Sequence, residues 1–390
     1  MRVLVAFDKF KDSLSSPTAC AITADALRSA HPDWQIDLCP LTDGGEGFCD
    51  ILTRSAGGTV EKISVTGPRG VPVEATLGLV PLARIPPAAR ALLNLQPSTF
   101  NLQLHGDATV AVIEMATASG LALLAPDQRD PWQTTTLGTG ELLRAAARPG
   151  VAAILLGIGG SATSDLGLGA LVALGLEFRS SRGERVHPPI PARWPEIARL
   201  AGRVPKDFPP LRIACDVTNP LLGPRGAAAI YGPQKGLRAD DVTNLDHAAA
   251  RLALMLSHHC GAPDSLLDAP GAGAAGGLGF GLMAAAGARL LPGFDLVSAW
   301  LDLAPKLAAA DLIITGEGRF DESSLTGKGP GAIASQAIAL GKRVHVFAGA
   351  VAVAPREHLT LHAITPAGTP LVQALREAPA NLAAAVTRAL

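Results

Sequence analysis

Apolar residues along this chain fall in short runs that alternate with amphipathic stretches, which is the pattern of strands followed by helices. Near the start, Ser15 and Ser16 with Pro17 indicate the N-terminal cap of a helix that reaches about Ala30. This pattern predicts a βαβαβ opening, which is typical of an open parallel α/β sheet. Its predicted strands are Arg2–Phe7, Gln35–Leu38 and 60–65, and its predicted helices are the one opened by this cap and a second at 48–56.

The regularity stops at 80–105, where four prolines surround a short apolar stretch, and we predict a surface excursion there. Strands and helices alternate again beyond it, apart from a proline-rich stretch at 188–210. The remaining predicted strands are Thr109–Glu114, 151–156, 211–215, 311–315 and 344–348. The remaining predicted helices are 137–148, 165–174, 239–258, one opened by the glycines of 271–281, 332–340 and the terminal helices.

Strand and helix patterns alternate regularly at both ends of the chain. The alternation becomes irregular near Gly67 and becomes regular again between 271 and 292. We therefore predict an α/β fold of two domains. Residues 1–66 and 282–390 are expected to form a discontinuous Rossmann-like or flavodoxin-like open parallel sheet domain, with a second α/β domain, 67–281, inserted into it. Ligands of open α/β sheets bind at the carboxyl ends of strands, so we expect the active site in the interdomain cleft.

The 390 residues are 48% apolar and carry a formal charge of −1, so no net field attracts nucleic acid or an anionic membrane, and we expect neither partner. The mean hydropathy is +0.29. The longest apolar run, 151–158, is nevertheless far short of the ~20 residues that span a bilayer. The first apolar run ends at Asp8, too soon for a signal peptide, and we expect a cytoplasmic protein. Five scattered cysteines favour reduced thiols.

Glycine is enriched, at 42 residues, and lysine is scarce, with eight against 25 arginines. Lys9 lies in a charged cluster directly after the first strand, and Asp43, Gly44, Gly45 and Glu46 form a loop after the second. Carboxylates among glycines allow close backbone approach and supply oxygen ligands for Mg²⁺ or a hydroxylated substrate. A surface turn with acidic residues at a helix N-terminus is the alternative interpretation.

A third cluster, 157–165, lies between a buried strand and a helix and contains Gly159, Gly160 and Ser161. A strand, a glycine turn and a helix N-terminus form an anion cradle for any of several ligands. The same residues imitate a dinucleotide fingerprint, with Glu177 near the ribose-binding offset. Packing glycines are an equally good interpretation of the spacing.

Three further loops complete the set of candidate sites. Asp216 and Asn219 follow a strand, where an Asx-turn before proline is the alternative to ligand binding. The glycine tract at 271–277 fits a nucleotide fingerprint in spacing but follows no convincing strand. Acids and bases at 314–330 could hold phosphates and metal. The candidates in and near these loops are Lys235, Gly273, Gly276, Gly277, Glu317, Arg319 and Lys328. Together, the glycine-plus-acid loops at strand ends indicate phosphoryl transfer with Mg²⁺.

Seven motifs, in this order, resemble those of the bacterial glycerate kinase family. The resemblance covers nearly the whole chain and is far more specific than any single glycine loop. It implies ATP-dependent phosphorylation of D-glycerate, generally to 2-phosphoglycerate, by an enzyme with a Rossmann-like domain and an inserted second domain. The motifs are DKFKDSL at 8–14, DGGEG at 43–47, GIGGSAT at 157–163, CDV at 215–217 with NPL at 219–221, GPQKG at 232–236, GAGAAGG at 271–277 and TGEGR at 315–319.

Under this hypothesis Asp43, Glu46 and Asp216 supply carboxylates for Mg²⁺ or the glycerate hydroxyls, one of them orienting the attacking hydroxyl, and Asp43 and Asp216 are the expected Mg²⁺ ligands. A strong base is not required, because phosphoryl transfer has a loose transition state. Backbone N–H groups line the site at Gly44, Gly45, Gly159, Gly160, Ser161 and 273–277, beside Asn219 and Glu317. The expected binders of the glycerate carboxylate or the phosphates are Lys9, Lys235, Arg319 and Lys328.

Two other functions stay open at this point: an NAD(P)-linked oxidoreductase of a small hydroxy acid, and a non-catalytic sugar-acid binding module. The first would use the glycine cluster at 157–165 for a dinucleotide. The second would explain the crevice but not the many metal-suited acids. Assembly into a homo-oligomer, the nucleotide preference and the choice between 2- and 3-phosphoglycerate are also left open by the sequence.

Overall fold

The computed structural model of the protein describes residues 1–95, 108–326, 329–354 and 356–390. Its strands alternate with helices along most of this length. The strands are Arg2–Phe7 (β1), Gln35–Leu38 (β2), Thr59–Thr66 (β3), Pro72–Pro81 (β4), Thr109–Glu114 (β5), Val151–Gly157 (β6), Leu176–Arg179 (β7), Arg199–Gly202 (β8), Leu211–Ala214 (β9), Arg289–Leu291 (β10), Leu312–Phe320 (β11), Arg343–Val351 (β12) and Leu359–Ala363 (β13).

The α-helices vary from single turns to five turns. They are Ser16–Ala30 (α1), Phe48–Ser55 (α2), Pro87–Leu92 (α3), Ala116–Ser119 (α4), Leu137–Ala146 (α5), Leu168–Ala173 (α6), Ala227–Tyr231 (α7), Val242–Cys260 (α8), Ala274–Ala286 (α9), Gly293–Trp300 (α10), Leu303–Ala309 (α11), Glu322–Thr326 (α12), Pro330–Ala339 (α13) and Leu371–Ala389 (α14). Within the described ranges, no helix has the length and apolar character needed to cross a membrane.

The chain forms two compact units. The terminal unit consists of Met1–Asp43 and Val297–Leu390, and the inserted unit is Gly44–Leu296. The terminal unit contains a five-stranded sheet in the order β13-β12-β11-β1-β2, in which every neighbouring pair is parallel. Counted along the chain, this is the 2-1-3-4-5 order of flavodoxin-like folds, and it reverses direction between β1 and β11.

The core of the terminal unit forms because β1 is apolar along its whole length. Residues Val3–Phe7 are fully buried, as expected of a central strand covered on both faces. Helix α1 begins after Ser15, whose hydroxyl accepts a hydrogen bond from the Thr18 N–H, and it packs Leu27 into the same core as Leu382 of α14. Burial of each such leucine contributes about 1.5–3 kcal/mol.

The inserted unit contains a six-stranded mixed sheet in the order β10-β9-β6-β5-β4-β3. Strands β5, β6, β9 and β10 are parallel, whereas β3 and β4 form an antiparallel hairpin at one edge. Its core joins the strands with helices α5, α6, α8 and α9, and includes the fully buried indole of Trp194. A separate two-stranded sheet pairs β7 with β8.

Several sequence predictions are confirmed closely: β1, β2 and β5 have the predicted bounds, and the fold is an α/β fold with a flavodoxin-like sheet built from both chain ends. The prediction that the third strand joins a parallel sheet is wrong. Strand β3 pairs antiparallel with β4, because the short turn from Gly67 to Val71 can close a hairpin but not a parallel crossover. The units consequently divide at 43/44 and 296/297, whereas we predicted 66/67 and 281/282.

Three further differences have local causes. Helix α6 begins at Leu168 rather than near 165, because Leu166 and Gly167 have left-handed backbone. Strand β11 extends to Phe320, because its parallel pairing with β12 continues to Val351. The predicted excursion at 80–105 includes the end of β4 and helix α3, and its remainder from 96 lies outside the described residues.

Candidate active site

The terminal unit places charged side chains at the point where its strand order reverses. Asp8 and Lys9 follow β1 directly, and the Asp8 N–H bonds the carbonyl of Gly316 on β11 at 3.0 Å. The Lys9 ammonium lies 3.2 Å from an Asp43 carboxylate oxygen. Open α/β sheets bind ligands at this reversal, beside the carboxyl ends of the two diverging strands. These residues therefore occupy the position where this fold presents a ligand.

Strand β11 contributes Glu317 and Arg319 to the same edge. Both lie within the strand rather than after it, which corrects the predicted strand end. Arg319 is largely exposed, and its Nε lies 3.1 Å from the Asp321 carboxylate. Glu317 is partly buried, and its Oε1 has no hydrogen-bond partner among the described residues. A buried carboxylate oxygen without a donor is costly, so this atom is suited to a ligand that supplies positive charge or a proton.

Burial and crowding raise the pKa values of two carboxyl groups at this edge. Burial raises the pKa of Glu317 to about 7, and the neighbouring carboxylates of Asp8, Asp321 and Asp43 add to the effect, against a hydrogen bond from Ser324. Burial also raises the pKa of Asp8 to about 6, with Asp43 adding to the rise and Lys9 opposing it. Strongly perturbed acids grouped in one place are typical of functional sites.

In the inserted unit, two of the glycine loops pack directly against each other. The Gly159 N–H donates to the Gly44 carbonyl at 3.0 Å. A Cβ at Gly159 would lie 2.6 Å from the Gly45 Cα, and one at Gly157 would lie 2.5 Å from the Gly44 oxygen. Only glycine permits this approach. The Gly44 backbone also lies against Ala214 at the end of β9, so the loops after β6 and β9 meet at Gly44.

The exposed part of this arrangement is small and formed by backbone. Gly160 is exposed with a left-handed backbone, Gly159 is partly buried, and the Ser161 side chain is 9% exposed. The loop is anchored by a backbone hydrogen bond, in which the Leu121 N–H donates to the Gly160 carbonyl at 2.8 Å. The packing interpretation of the glycines and the anion-cradle interpretation are therefore compatible, since different glycines serve each.

Asp216 and Asn219 make hydrogen bonds within the protein. The two carboxylate oxygens of Asp216 accept from the Gly293 and Phe294 N–H groups, both at 2.9 Å, so Asp216 caps the N-terminus of α10. The amide of Asn219 donates to the Arg225 carbonyl, and its oxygen accepts from the only tyrosine, Tyr231, at 2.6 Å. Both side chains order the backbone beyond β9.

Lys235 is fully buried, at 1% exposure, and its Nζ donates to the Thr163 carbonyl at 2.6 Å. Burial lowers the pKa of Lys235 to about 7, against the opposing charge of Asp165. The glycines of α9 pack on the same segment, since a Cβ at Gly276 would lie 2.0 Å from the Thr163 oxygen. Gly273 and Gly277 likewise approach Pro220 and Leu166 closely. Lys235 and Gly276 therefore both contact the 157–165 loop at Thr163.

The other predicted site residues are distributed as follows. Glu46 is exposed in the Asp43–Gly47 loop, and Lys328 lies outside the described residues, although its neighbour Gly329 approaches the Asp8 carboxylate. The candidate set omitted Asp8, which lies in the first charged loop, and the fully buried Asp165. Asp8 could have been found from its place directly after the first strand. Asp165 could not, because two of its hydrogen bonds come from Thr136, 29 residues earlier in the chain, and no local spacing reveals that pairing.

A flavodoxin-like sheet with charged groups at its reversal point is suited to an enzyme that transfers a charged group such as phosphoryl. Comparison with known proteins agrees. The glycerate kinase family model matches residues 3–390. The glycerate kinase of Bacillus subtilis is 37% identical over 97% of this chain and 94% of its own length. The glycerate 2-kinase of Escherichia coli is 36% identical over 90% and 86%.

A solved structure gives the same result. The crystal structure of a protein described as glycerate kinase 2 from Salmonella typhimurium LT2 is 36% identical, covers 100% of this chain and 97% of its own, and superimposes with a TM-score of 0.76. The chain therefore belongs to the glycerate kinase family and is a phosphotransferase.

The close contact between the glycine loops predicts that Gly159→Ala is destabilising. Its Cβ would force the loop away from Gly45, at a cost of about 1–3 kcal/mol. Chemical denaturation would measure this cost. Gly150→Ala is the control for crowding, because no atom lies within 4 Å of the added Cβ and its only cost is that of alanine in a left-handed backbone. A stability loss at Gly159 no larger than at Gly150 would contradict the contact.

The buried Lys235 predicts a specific pH dependence of stability. Its pKa is about 7 in the folded protein and about 10.4 when unfolded, so between these values the unfolded chain binds more protons. The contribution of Lys235 to stability is therefore present above about pH 10.4 and is lost as the pH falls toward 7. The unfolding free energy of the wild type relative to Lys235→Met should rise with pH by up to about 1.4 kcal/mol per unit in this window. Urea denaturation at a series of pH values would measure both unfolding free energies. A difference between the two proteins that does not change with pH would contradict the prediction.

Proposed function

We propose that the enzyme transfers the γ-phosphoryl group of ATP to D-glycerate with Mg²⁺, and that 2-phosphoglycerate is the product. The observation that carries the proposal is the cluster of Asp8, Lys9, Asp43 and Glu317 at the reversal point of the flavodoxin-like sheet. Relatives named glycerate kinase and glycerate 2-kinase support the choice of acceptor and of product.

The donor set of this cluster fits Mg²⁺. Carboxylate oxygens are its preferred protein ligands, and Mg²⁺ is commonly held by one or two carboxylates together with water and substrate phosphates. Glu317 also has a buried carboxylate oxygen that lacks a hydrogen-bond partner among the described residues. We propose Asp43 as the ligand. Asp216, the other expected ligand, uses its carboxylate oxygens to cap α10. When bound, the ion would neutralise phosphate charge.

The protein groups divide into positive side chains and backbone donors. Lys9 and the exposed Arg319 are available to bind the phosphates or the glycerate carboxylate, since each is paired with a carboxylate that a ligand can replace. The N–H groups of Gly160 and Ser161 form a compact donor set for an anion. Lys328 remains a predicted phosphate ligand.

The oxidoreductase alternative loses the support of its expected ribose-binding acid. Glu177, at the ribose-binding offset, lies on β7 and forms ion pairs with Arg179 and Arg185, which hold the pKa of its carboxyl below the usual range. Glu177 lies within the β7–β8 pair, opposite Ala201, whereas a ribose-binding acid would lie at the carboxyl end of a strand next to the glycine loop. We therefore retain a single proposed function.

Purified enzyme with Mg-ATP and D-glycerate should release ADP and form 2-phosphoglycerate. Phosphorus NMR of the product distinguishes the 2- from the 3-phosphate by the coupling of phosphorus to its neighbouring protons. Omission of Mg²⁺ should abolish turnover. Absence of ADP release above background would refute the acceptor and the donor together, and the 3-phosphate as product would refute the regiochemistry alone.

Asp43→Ala should reduce kcat/KM on the order of 100-fold while leaving the fold intact, because it removes the proposed Mg²⁺ ligand. Asp25→Ala is the matched control. Asp25 lies in the same unit and also forms an exposed pair with a basic residue, Arg28. Steady-state kinetics across Mg²⁺ concentrations should show that the defect at Asp43 is partly relieved by excess Mg²⁺. If Asp43→Ala retained full turnover, Asp43 would not be the Mg²⁺ ligand.

A further inference from the structure

Lys235 combines features that a surface lysine never has. It lies in a short turn after α7, and it is one of the largest side chains that the structure buries completely. Its ammonium donates to a backbone carbonyl, that of Thr163, 72 residues earlier in the chain. Burying a lysine costs several kcal/mol even after relaxation. An apolar side chain of similar length would fill the same volume, so packing alone does not account for this residue.

The segment that Lys235 holds is fixed from two other directions. Asp165, fully buried, accepts hydrogen bonds from the Thr136 N–H and hydroxyl at 2.8 and 2.9 Å. It also accepts from the Gly167 and Gly169 N–H groups at the start of α6, both at 3.2 Å. On the third side, the Gly276 carbonyl accepts from the Leu166 N–H at 3.1 Å. Three elements of the inserted unit thus converge on residues 163–166.

This anchored segment continues directly into the exposed glycine turn. Only Ala162 separates Thr163 from Ser161, and the turn itself has few side chains with which to hold its shape. Backbone donors bind an oxyanion well only when their directions are set before the ligand arrives. The buried hydrogen bond from Lys235 is therefore placed where it can set the direction of the N–H groups at Gly160 and Ser161.

We propose that Lys235 is a positioning residue, which fixes the Thr163 carbonyl and through it the phosphate-binding backbone of the glycine turn. This inference rests on the proposed function for the identity of the ligand. It differs from the role expected from the sequence, in which Lys235 contacts the reactants itself. A positioning role needs the side chain buried and bonded to the protein, as it is, whereas direct contact needs its ammonium to reach a ligand.

The test compares Lys235→Met with Lys206→Met, an exposed lysine of the same unit, by amide hydrogen exchange of the full-length enzyme without ligands. Positioning predicts faster exchange in peptides covering 157–167 of Lys235→Met, with other regions and the Lys206→Met protein unchanged. If Lys235→Met does not fold, Lys235→Gln, one atom shorter, replaces it and should give the same local effect. Unchanged exchange at 157–167 in the folded variant would overturn the proposal.

Kinetics supply the second readout. Lys235→Met should raise KM for Mg-ATP and lower kcat/KM on the order of 10- to 100-fold, because misdirected donors weaken binding as well as the transition state. A loss in kcat alone, with normal exchange, would instead indicate direct contact with the transferring group and overturn the proposal. Absence of turnover in the wild type would be a failure of the proposed function, and the exchange comparison would remain decisive because it uses no substrate.

Discussion

The close approach of two glycine loops is the constraint on which the backbone surface of the inserted unit at Gly160 depends. The Gly159 N–H donates to the Gly44 carbonyl at 3.0 Å, and the approach leaves no room for a side chain at Gly157 or Gly159. Because of this contact, the end of β6 and the loop beginning at Asp43 keep a fixed relation, with Ala214 of β9 against the same glycine. Backbone groups, rather than mobile side chains, therefore form the surface at Gly160.

Buried charge is used here for geometry more than for stability. Lys235 and Asp165 have pKa values shifted by burial in the directions that disfavour their charged forms. Each nevertheless makes hydrogen bonds that an apolar residue could not make. Asp216 follows the same principle at the surface of the core, where its carboxylate orders the start of α10. A site made from backbone needs such supports, because glycine turns have little intrinsic conformational preference.

The sequence predicted most of the parallel strands of both large sheets, because runs of apolar residues are local signals, but no strand was predicted at β4, β7, β8, β10 or β13. Strands β1, β2 and β5 have the predicted bounds. It failed where a residue's partner is distant. The bonds from Lys235 to Thr163 and from Gly293 to Asp216 join residues more than 70 positions apart, and no spacing rule relates such pairs. The hairpin of β3 and β4 was missed for two other reasons: no strand was predicted at 72–81, and the apolar pattern of β3 does not reveal its direction.

The terminal unit is built from both ends of the chain, which has a consequence for its synthesis on the ribosome. Strand β1 has β2 on one side, but its other neighbour, β11, begins only at Leu312. The whole inserted unit is translated in between. Since domains tend to fold as units during synthesis, the inserted unit can fold first, while the apolar Val3–Phe7 strand awaits its partner. Until Leu312 has been translated, that strand therefore presents an unpaired apolar edge.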